Sequence, residues 1–163
     1  MGGSTGFGGR KGDSMRALLL FLVLALGAAL AQAFLKGITS EELEGVLKEA
    51  GIPYERTDEG QYRLEMAGLK KVWLAMDFCQ ERCEVLALSA GFTLEGPADL
   101  DLANAWNKDH RFSRAYVDEE GNIWLESELD LSGGMSLGAV RAFLELFRDH
   151  SFPDFMAHIG FEP

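Results

Sequence analysis

The segment 105–125 most constrains the fold, because it contains the end of a helix, two strands and the tight turn between them. The acidic run at 118–122 includes Gly121 and Asn122, either of which tolerates the positive φ of a hairpin turn. Apolar and polar residues alternate on both sides of this run, as in strands that bury one face. The sequence therefore predicts an antiparallel hairpin, with strands at 112–118 and 123–131.

Strict alternation assigns the side chains of this hairpin to two faces. The core side is expected to hold Phe112, Tyr116, Ile123 and Leu125. Trp124 then lies on the opposite face, beside acidic residues. An aromatic side chain exposed on a sheet surface favours partner binding, so Trp124 is a candidate binding residue.

Helices and further hairpins account for the rest of the chain. The predicted helices cover 40–50, which starts at a Thr39–Glu42 capping box, 99–107, and a third segment that begins at Ser136. Between the first two helices, alternation predicts strands at 54–57, 61–66, 71–78 and 84–92. Residues 152–155 begin an apolar tail that could pack on the sheet. The expected fold class is α+β, an antiparallel sheet of about five to six strands with three helices packed mainly on one face, in the order α-βββ(β)-α-ββ-α.

Cys79 and Cys83 are the two cysteines of the chain, and they flank the polar loop 80–82 between two predicted strands. Cross-strand neighbours have Cα atoms about 4.5–5.5 Å apart, which a disulfide tolerates. The sequence thus predicts a disulfide that fixes the hairpin register and stabilises the fold by about 2 kcal/mol. A zinc site is disfavoured because no histidine or third cysteine is nearby, and a catalytic dithiol because the spacing is wrong.

Residues 1–33 have the features of an N-terminal extension followed by a secretory signal peptide. Basic residues precede an apolar run at 17–30, and small residues then fit cleavage after Ala31 or Ala33. The apolar run is short for a bilayer span, which needs about 20 residues. Translation starts at Met1 or at Met15, since the sequence after Met15 is itself a complete signal.

Cleavage would leave residues 34–163 as a single exported domain, in the periplasm or outside the cell, without stable membrane insertion. The alternative is an uncleaved N-terminal helix that anchors the protein to the membrane. An oxidising compartment agrees with the predicted disulfide. The net charge of −11 would repel phosphate backbones, so we expect no nucleic-acid partner.

The known catalytic and metal-binding motifs do not occur in the sequence. The three histidines do not form a His-Glu-x-x-His pattern, and there is no Gly-x-Ser-x-Gly elbow. The acidic turn 118–122 lacks the spacing of a calcium loop, and Gly133-Gly134 lacks the Lys-Ser/Thr ending of a phosphate loop. We therefore expect a protein that is not an enzyme and that has no catalytic residue, metal or cofactor.

A small polar cluster is predicted where the second helix meets the following strand. Its members are Trp106, Asn107, Arg111 and Arg114, and the arginines are cations in an acidic chain. The cluster is a candidate binding pocket, and the alternative is structural hydrogen bonding.

The hairpin and its surroundings resemble the YbjN domain family. The resemblance rests on Trp106-Asn107, on the spacing Phe112-x-Arg114-Ala-Tyr116-x-Asp118-x-x-Gly121-x-Ile123-x-Leu125-Glu126, and on Gly133-Gly134 followed by an aromatic-rich helix. It covers roughly residues 38–155. The family is catalogued as bacterial sensory-transduction regulators, and its fold is similar to that of type III secretion chaperones. The resemblance implies no catalytic residues.

These features together predict an exported, non-enzymatic domain that binds a protein or peptide through its sheet or a sheet edge, as a chaperone-like or regulatory module. A homodimer is compatible with the same surfaces. The alternative function is an envelope sensor of small molecules, with a pocket near Trp106, Arg111 and Arg114.

Overall fold

The computed structural model describes residues 34–57 and 59–162, and the predicted signal peptide at 1–33 lies outside this part of the chain. Six strands form one antiparallel sheet. They are β1 (Tyr54–Arg56), β2 (Tyr62–Met66), β3 (Leu69–Cys79), β4 (Cys83–Phe92), β5 (Arg114–Val117) and β6 (Ile123–Asp130), and their order across the sheet is β1-β2-β3-β4-β6-β5. The predicted α+β class is confirmed.

The helices are α1 (Ser40–Glu49), α2 (Leu100–Asp109), α3 (Leu137–Leu146) and α4 (Phe152–His158), and a π-helical turn, Phe147–Ser151, joins α3 to α4. The predicted capping box is present, because the Thr39 side chain accepts a hydrogen bond from the Glu42 N–H and the Glu42 carboxylate accepts one from the Thr39 N–H. Asp99 and Ser136 are the N-caps of α2 and α3, and their side chains accept hydrogen bonds from the N–H groups of Asp101 and Ala139. None of the described helices is long and apolar enough to cross a membrane.

One face of the sheet packs against the helices and forms the core. Alternate residues of the central strands are fully buried there, and they are Tyr62, Leu64, Val72, Leu74, Leu86, Leu88, Ile123 and Leu125. Phe92 lies at the end of β4 and contacts the rings of Phe152 and Phe155, with centroids 5.9 and 5.8 Å away. The apolar tail predicted at 152–155 is therefore part of a helix, and its aromatic side chains complete the core.

The predicted faces of the 112–131 hairpin need a correction. Ile123 and Leu125 are buried as expected, but Phe112 is 74% exposed and precedes β5 with a positive φ of 67°. Tyr116 pairs directly across from Trp124, and cross-strand neighbours share a face, so Tyr116 lies outside the core. The inward position of β5 is taken by Ala115, whose small side chain gives a weak hydrophobic signal.

The loop between β3 and β4 contacts residues 36–42, near the start of the domain, through hydrogen bonds. Cys79 and Cys83 pair across the hairpin base and form a disulfide, with Cα atoms 3.9 Å apart. Ile38 and Cys83 exchange two backbone hydrogen bonds of 2.9 Å. The Arg82 guanidinium donates to the carbonyl oxygens of Lys36 and Gly37, at 3.0–3.2 Å, and to the Glu42 carboxylate.

Candidate functional site

The sheet face opposite the helices carries an aromatic surface, which we call the open face. Its floor consists of small side chains near the middle of β3 and β4, namely Ala75, Ala87, Ser89 and Gly91. Trp73 stands on one side of this floor and Trp124 on the other, as the registers Trp73↔Ser89 and Gly91↔Trp124 require. Small residues between two indoles make a shallow groove across the centre of the sheet.

Trp124 is held in place by contacts on three sides. Its ring lies so close over Gly91 that a Cβ atom at that position would come within 2.8 Å of the indole. Its Nε1 donates a 2.7 Å hydrogen bond to Asp118 Oδ2, and this bond lowers the pKa of the Asp118 carboxyl. Its ring also stacks with that of Tyr116, with centroids 6.3 Å apart and an interplanar angle of 7°. Trp124 therefore presents an apolar ring in a fixed orientation.

A hydrogen-bonded group closes the β5 side of the open face. Glu126 accepts hydrogen bonds from the Tyr116 hydroxyl at 2.8 Å and from Arg114 at 2.6 Å. Burial, together with the hydrogen bond to this carboxylate, raises the pKa of Tyr116 to about 12. The charges of Arg114 and Glu126 are thus compensated within the protein.

Trp73 forms the other wall together with a cation. The guanidinium of Arg63 lies over the Trp73 ring, 4.5 Å from its centroid, as in a cation–π pair. The register Arg63↔Trp73 places both residues in the row of the sheet that contains Ser89. In the sequence, the alternation of Trp73 with the buried residues Val72 and Leu74 is the signal that places it on this face.

Two adjoining cavities occupy the open face. The first has a volume of about 500 Å³ and is lined by Thr57, Glu59, Gln61, Arg63, Trp73, Ala75, Ser89 and Trp124. The second has a volume of about 370 Å³ and is lined by Arg63, Lys70, Lys71, Trp73, Gly91, Phe92, Thr93, Asn122 and Trp124. Both volumes fall in the range of about 300–1,000 Å³ that is usual for ligand sites. The cavities share Arg63, Trp73 and Trp124, so they form one continuous groove.

The residues of the predicted polar cluster do not meet in one pocket. Trp106 is only 1% exposed, and its ring stacks on that of His110 at 3.6 Å on the helix side of the sheet. Arg114 lies on the open face, where it pairs with Glu126. Arg111 is exposed in the loop between α2 and β5. Of the predicted binding residues, Arg114 and Trp124 are the two on the open face.

Asn107 has a structural contact that closes one edge of the sheet. Its side-chain amide donates to the carbonyl of Ala115 at 2.9 Å, and its Oδ1 accepts from the Ala115 N–H at 2.7 Å. Strand β5 lies at the edge of the sheet, and the Asn107 side chain makes the two hydrogen bonds to Ala115 that an adjacent strand would otherwise make. An extended partner could therefore not pair with β5 at this residue.

Two of the three histidines lie beside Trp106, and the ring centroids of His110 and His158 are 6.1 Å apart. His110 stacks on Trp106, and His158 Nε2 lies 2.9 Å from the carbonyl oxygen of Leu102. His150 is exposed in the π-helical turn. The residues that the structure describes also contain no group of three or more potential ligands that could hold a metal ion.

The comparisons with known proteins identify the family. Residues 39–155 match the model of the YbjN family, which is described as "Putative bacterial sensory transduction regulator", and the chain belongs to this family. No curated protein matches it. Among solved structures, it is similar to the Yersinia pestis type III secretion chaperone SycH in complex with a stable fragment of YscM2. That similarity has a TM-score of 0.45 and 15% identity, and it covers 70% of this chain and 97% of the chaperone chain.

Proposed function

We propose that this member of the YbjN family is a non-enzymatic binding module that holds a segment of a partner protein on its open face. The observation that carries the proposal is the groove between Trp73 and Trp124. Tryptophan side chains are enriched at protein interfaces because they bury a large area and lose little conformational entropy. By holding and releasing such a segment, the module would act as a chaperone or as a regulator of its partner.

The fixed geometry of Trp124 supports this function. Gly91 below the ring, Asp118 at its nitrogen and Tyr116 beside it restrict the indole before any partner arrives. A side chain that is already ordered pays less entropy on binding, so more of the contact energy appears as affinity. Trp124 is also partly exposed, so its ring can contact a partner, which a side chain that served only to pack the fold would not need to do.

We further propose that the module works outside the cytoplasm, after cleavage behind Ala31 or Ala33. The signal-like sequence at 1–33 supports export, and the Cys79–Cys83 disulfide agrees with an oxidising compartment. The backbone pairing of the domain starts at Leu35, which bonds to Met135, so cleavage at either position would leave this pairing intact. An uncleaved membrane anchor is the alternative.

A second candidate function is a sensor of small molecules in the same groove. The cavity of about 500 Å³ on the open face is the observation that favours it, since this volume would accommodate a small ligand. This location replaces the pocket expected near Trp106 and Arg114, because those two side chains lie on different sides of the sheet.

Photo-crosslinking in living cells tests the proposed function. Benzoylphenylalanine replaces Ala87, on the floor of the groove, or Glu49, which is exposed at the end of α1 on the opposite side. We expect a discrete protein adduct from position 87 that is absent from position 49, and we expect Trp73→Ala to reduce its yield several-fold.

Two results would contradict the proposal. If position 87 gives no adduct above position 49, the open face does not bind a protein. If the adduct is equally abundant in the Trp73→Ala variant, the groove does not carry the binding. A small-molecule sensor would instead give no protein adduct but a ligand-dependent shift in the thermal unfolding of the purified protein.

A further inference from the structure

One end of the groove is cationic, although the protein as a whole is acidic. The cavity of about 370 Å³ is lined by Arg63, Lys70 and Lys71, and the described residues contribute no carboxylate to its lining. The chain contains 26 acidic residues against 15 Lys and Arg residues. A cavity with three cations and no acid therefore differs sharply from the average surface of this protein.

Two of these cations form no salt bridge within the described residues, although Glu55 lies directly across from Arg63 on β1 and offsets part of its charge. Lys70 pairs with Glu55 at 2.5 Å. Arg63 and Lys71 form no salt bridge with a described carboxylate, and instead they lie over aromatic rings. The Lys71 ammonium is 5.3 Å from the centroid of the Phe92 ring. A cation over a ring keeps much of its charge available to a second, anionic partner.

The opposite end of the open face has the reverse charge. The register Asp77↔Val85↔Asp130 places two carboxylates in the row nearest the β3–β4 loop, and Glu128 occupies the next row, across from Ala87. The three cations of the second cavity and the carboxylates of Asp77 and Asp130 therefore lie at opposite ends of the open face, although Glu55 and Glu65 also border Arg63 and Lys70. This unequal distribution of charge favours one orientation of an acidic segment lying in the groove.

We propose that the open face binds an extended peptide segment whose acidic side chains lie over Arg63 and Lys71 and whose apolar side chains contact Trp73 and Trp124. The proposal rests on the proposed function and adds the chemistry of the partner. A peptide is favoured because the two cavities share Arg63, Trp73 and Trp124 and so form a long, open groove. Carboxylates are favoured because the cavity is lined by three cations and no described carboxylate, and because Arg63 and Lys71 form no salt bridge with a described residue.

Fluorescence anisotropy with synthetic peptides tests this proposal. The protein is expressed as the full chain and recovered from the bacterial envelope. The probes are labelled peptides of about ten residues, long enough to cross the groove at about 3.3 Å per residue, with a central Phe-Glu-Phe-Glu or the same sequence with Gln or Lys in place of Glu. We expect the Glu peptide to bind about three- to tenfold more tightly than the Gln peptide, and the Lys peptide most weakly.

Charge variants show where the preference originates. The double variant Arg63→Gln with Lys71→Gln should bind the Glu peptide about three- to tenfold more weakly and bind the Gln peptide nearly unchanged. The matched control is Lys48→Gln with Lys108→Gln, which removes two exposed charges from α1 and α2 and should leave the preference intact. Arg63→Lys keeps the charge and should retain most of the preference. The urea midpoint of each variant verifies folding.

The outcomes separate this proposal from the proposed function. Equal affinity for the Glu and Gln peptides, with both weakened by Trp73→Ala, would overturn the acidic-segment proposal and leave a peptide-binding face. A preference that persists in the Arg63→Gln/Lys71→Gln variant would also overturn it. If no peptide binds, the acidic-segment proposal fails, and crosslinking from position 87 decides the broader function independently.

Discussion

Replacing Asn107 with alanine should destabilise the protein by removing the contact that closes the β5 edge. The Asn107 amide makes two hydrogen bonds to the backbone of Ala115, at 2.7 and 2.9 Å. Asn107→Ala removes both bonds and leaves the N–H and carbonyl of a buried residue without those partners. The same change exposes a length of strand edge to other chains.

The size of the effect follows from these two bonds. A hydrogen bond contributes a net 0.5–1.5 kcal/mol, roughly, and an unsatisfied group that stays partly buried adds to the loss. Water can reach part of the edge and limits the penalty, so we expect a decrease of about 2 kcal/mol in the free energy of unfolding. For a domain of this size, that corresponds to a fall in Tm of roughly 4–8 °C. Asn107→Asp retains the acceptor but turns a carboxylate oxygen toward the Ala115 carbonyl, so it should also be destabilising.

Urea unfolding at equal protein concentration measures the difference, since an unchanged m-value shows that the midpoint reports stability. The control is Asn104→Ala, an exposed asparagine on the same helix, which should change the free energy of unfolding by less than about 0.5 kcal/mol. The reasoning is refuted if Asn107→Ala costs no more than Asn104→Ala. Light scattering should also show earlier association of the Asn107→Ala variant.

Three further predictions follow from other contacts. Gly91→Ala should displace the Trp124 ring and cost about 1–3 kcal/mol, whereas Gly45→Ala, in open space within α1, should stabilise by about 0.5–1 kcal/mol, both measured by urea unfolding with tryptophan fluorescence. Tyr116 should ionise near pH 12 rather than 10.0, and because its pKa is raised in the fold, its contribution to stability is lost as the pH rises from 10.0 to about 12. Glu126→Gln should lower the pKa of Tyr116, as seen in the tyrosinate absorbance, and an unchanged titration would exclude the Glu126 contact as a cause. Cys79→Ser with Cys83→Ser should cost about 2 kcal/mol, and intact mass with and without reductant should show the disulfide in exported protein.

Much of the fold follows from local sequence patterns. The capping box at Thr39 and Glu42 predicted the start of α1, and the loop between Cys79 and Cys83 predicted the β3–β4 hairpin. Both signals act between residues close in sequence, so no tertiary information is needed to read them. The predicted α+β order was correct for the same reason.

The face assignment of β5 could not be read in this way. Phe112 and Tyr116 are the large apolar residues of that segment, but Ala115 is the residue that is buried, at 5% exposure. The contacts with Asn107 and Trp124 fix the orientation of the strand, and both depend on how α2 and β6 are placed. Tertiary hydrogen bonds here outweigh the hydrophobicity of single side chains.

The candidate site was only half predictable. Trp124 was identified from its alternation with Ile123 and Leu125, but Trp73 and Arg63 come from strands that lie far from it in sequence. The registers of β2, β3 and β4 bring these three side chains to one groove. Such a long-range arrangement depends on sheet order, which alternation within one strand does not determine.

The attachment of residues 35–38 has a consequence for the order in which the chain can fold. Their backbone partners are Cys83, Leu131 and Met135, which are synthesised much later. If the domain is exported as proposed and its mature N-terminus emerges first, residues 35–38 stay unpaired until most of the domain has followed. Residues 35–38 would thus stay accessible to a peptidase during translocation, and the finished fold would then protect them from cleavage through their backbone hydrogen bonds.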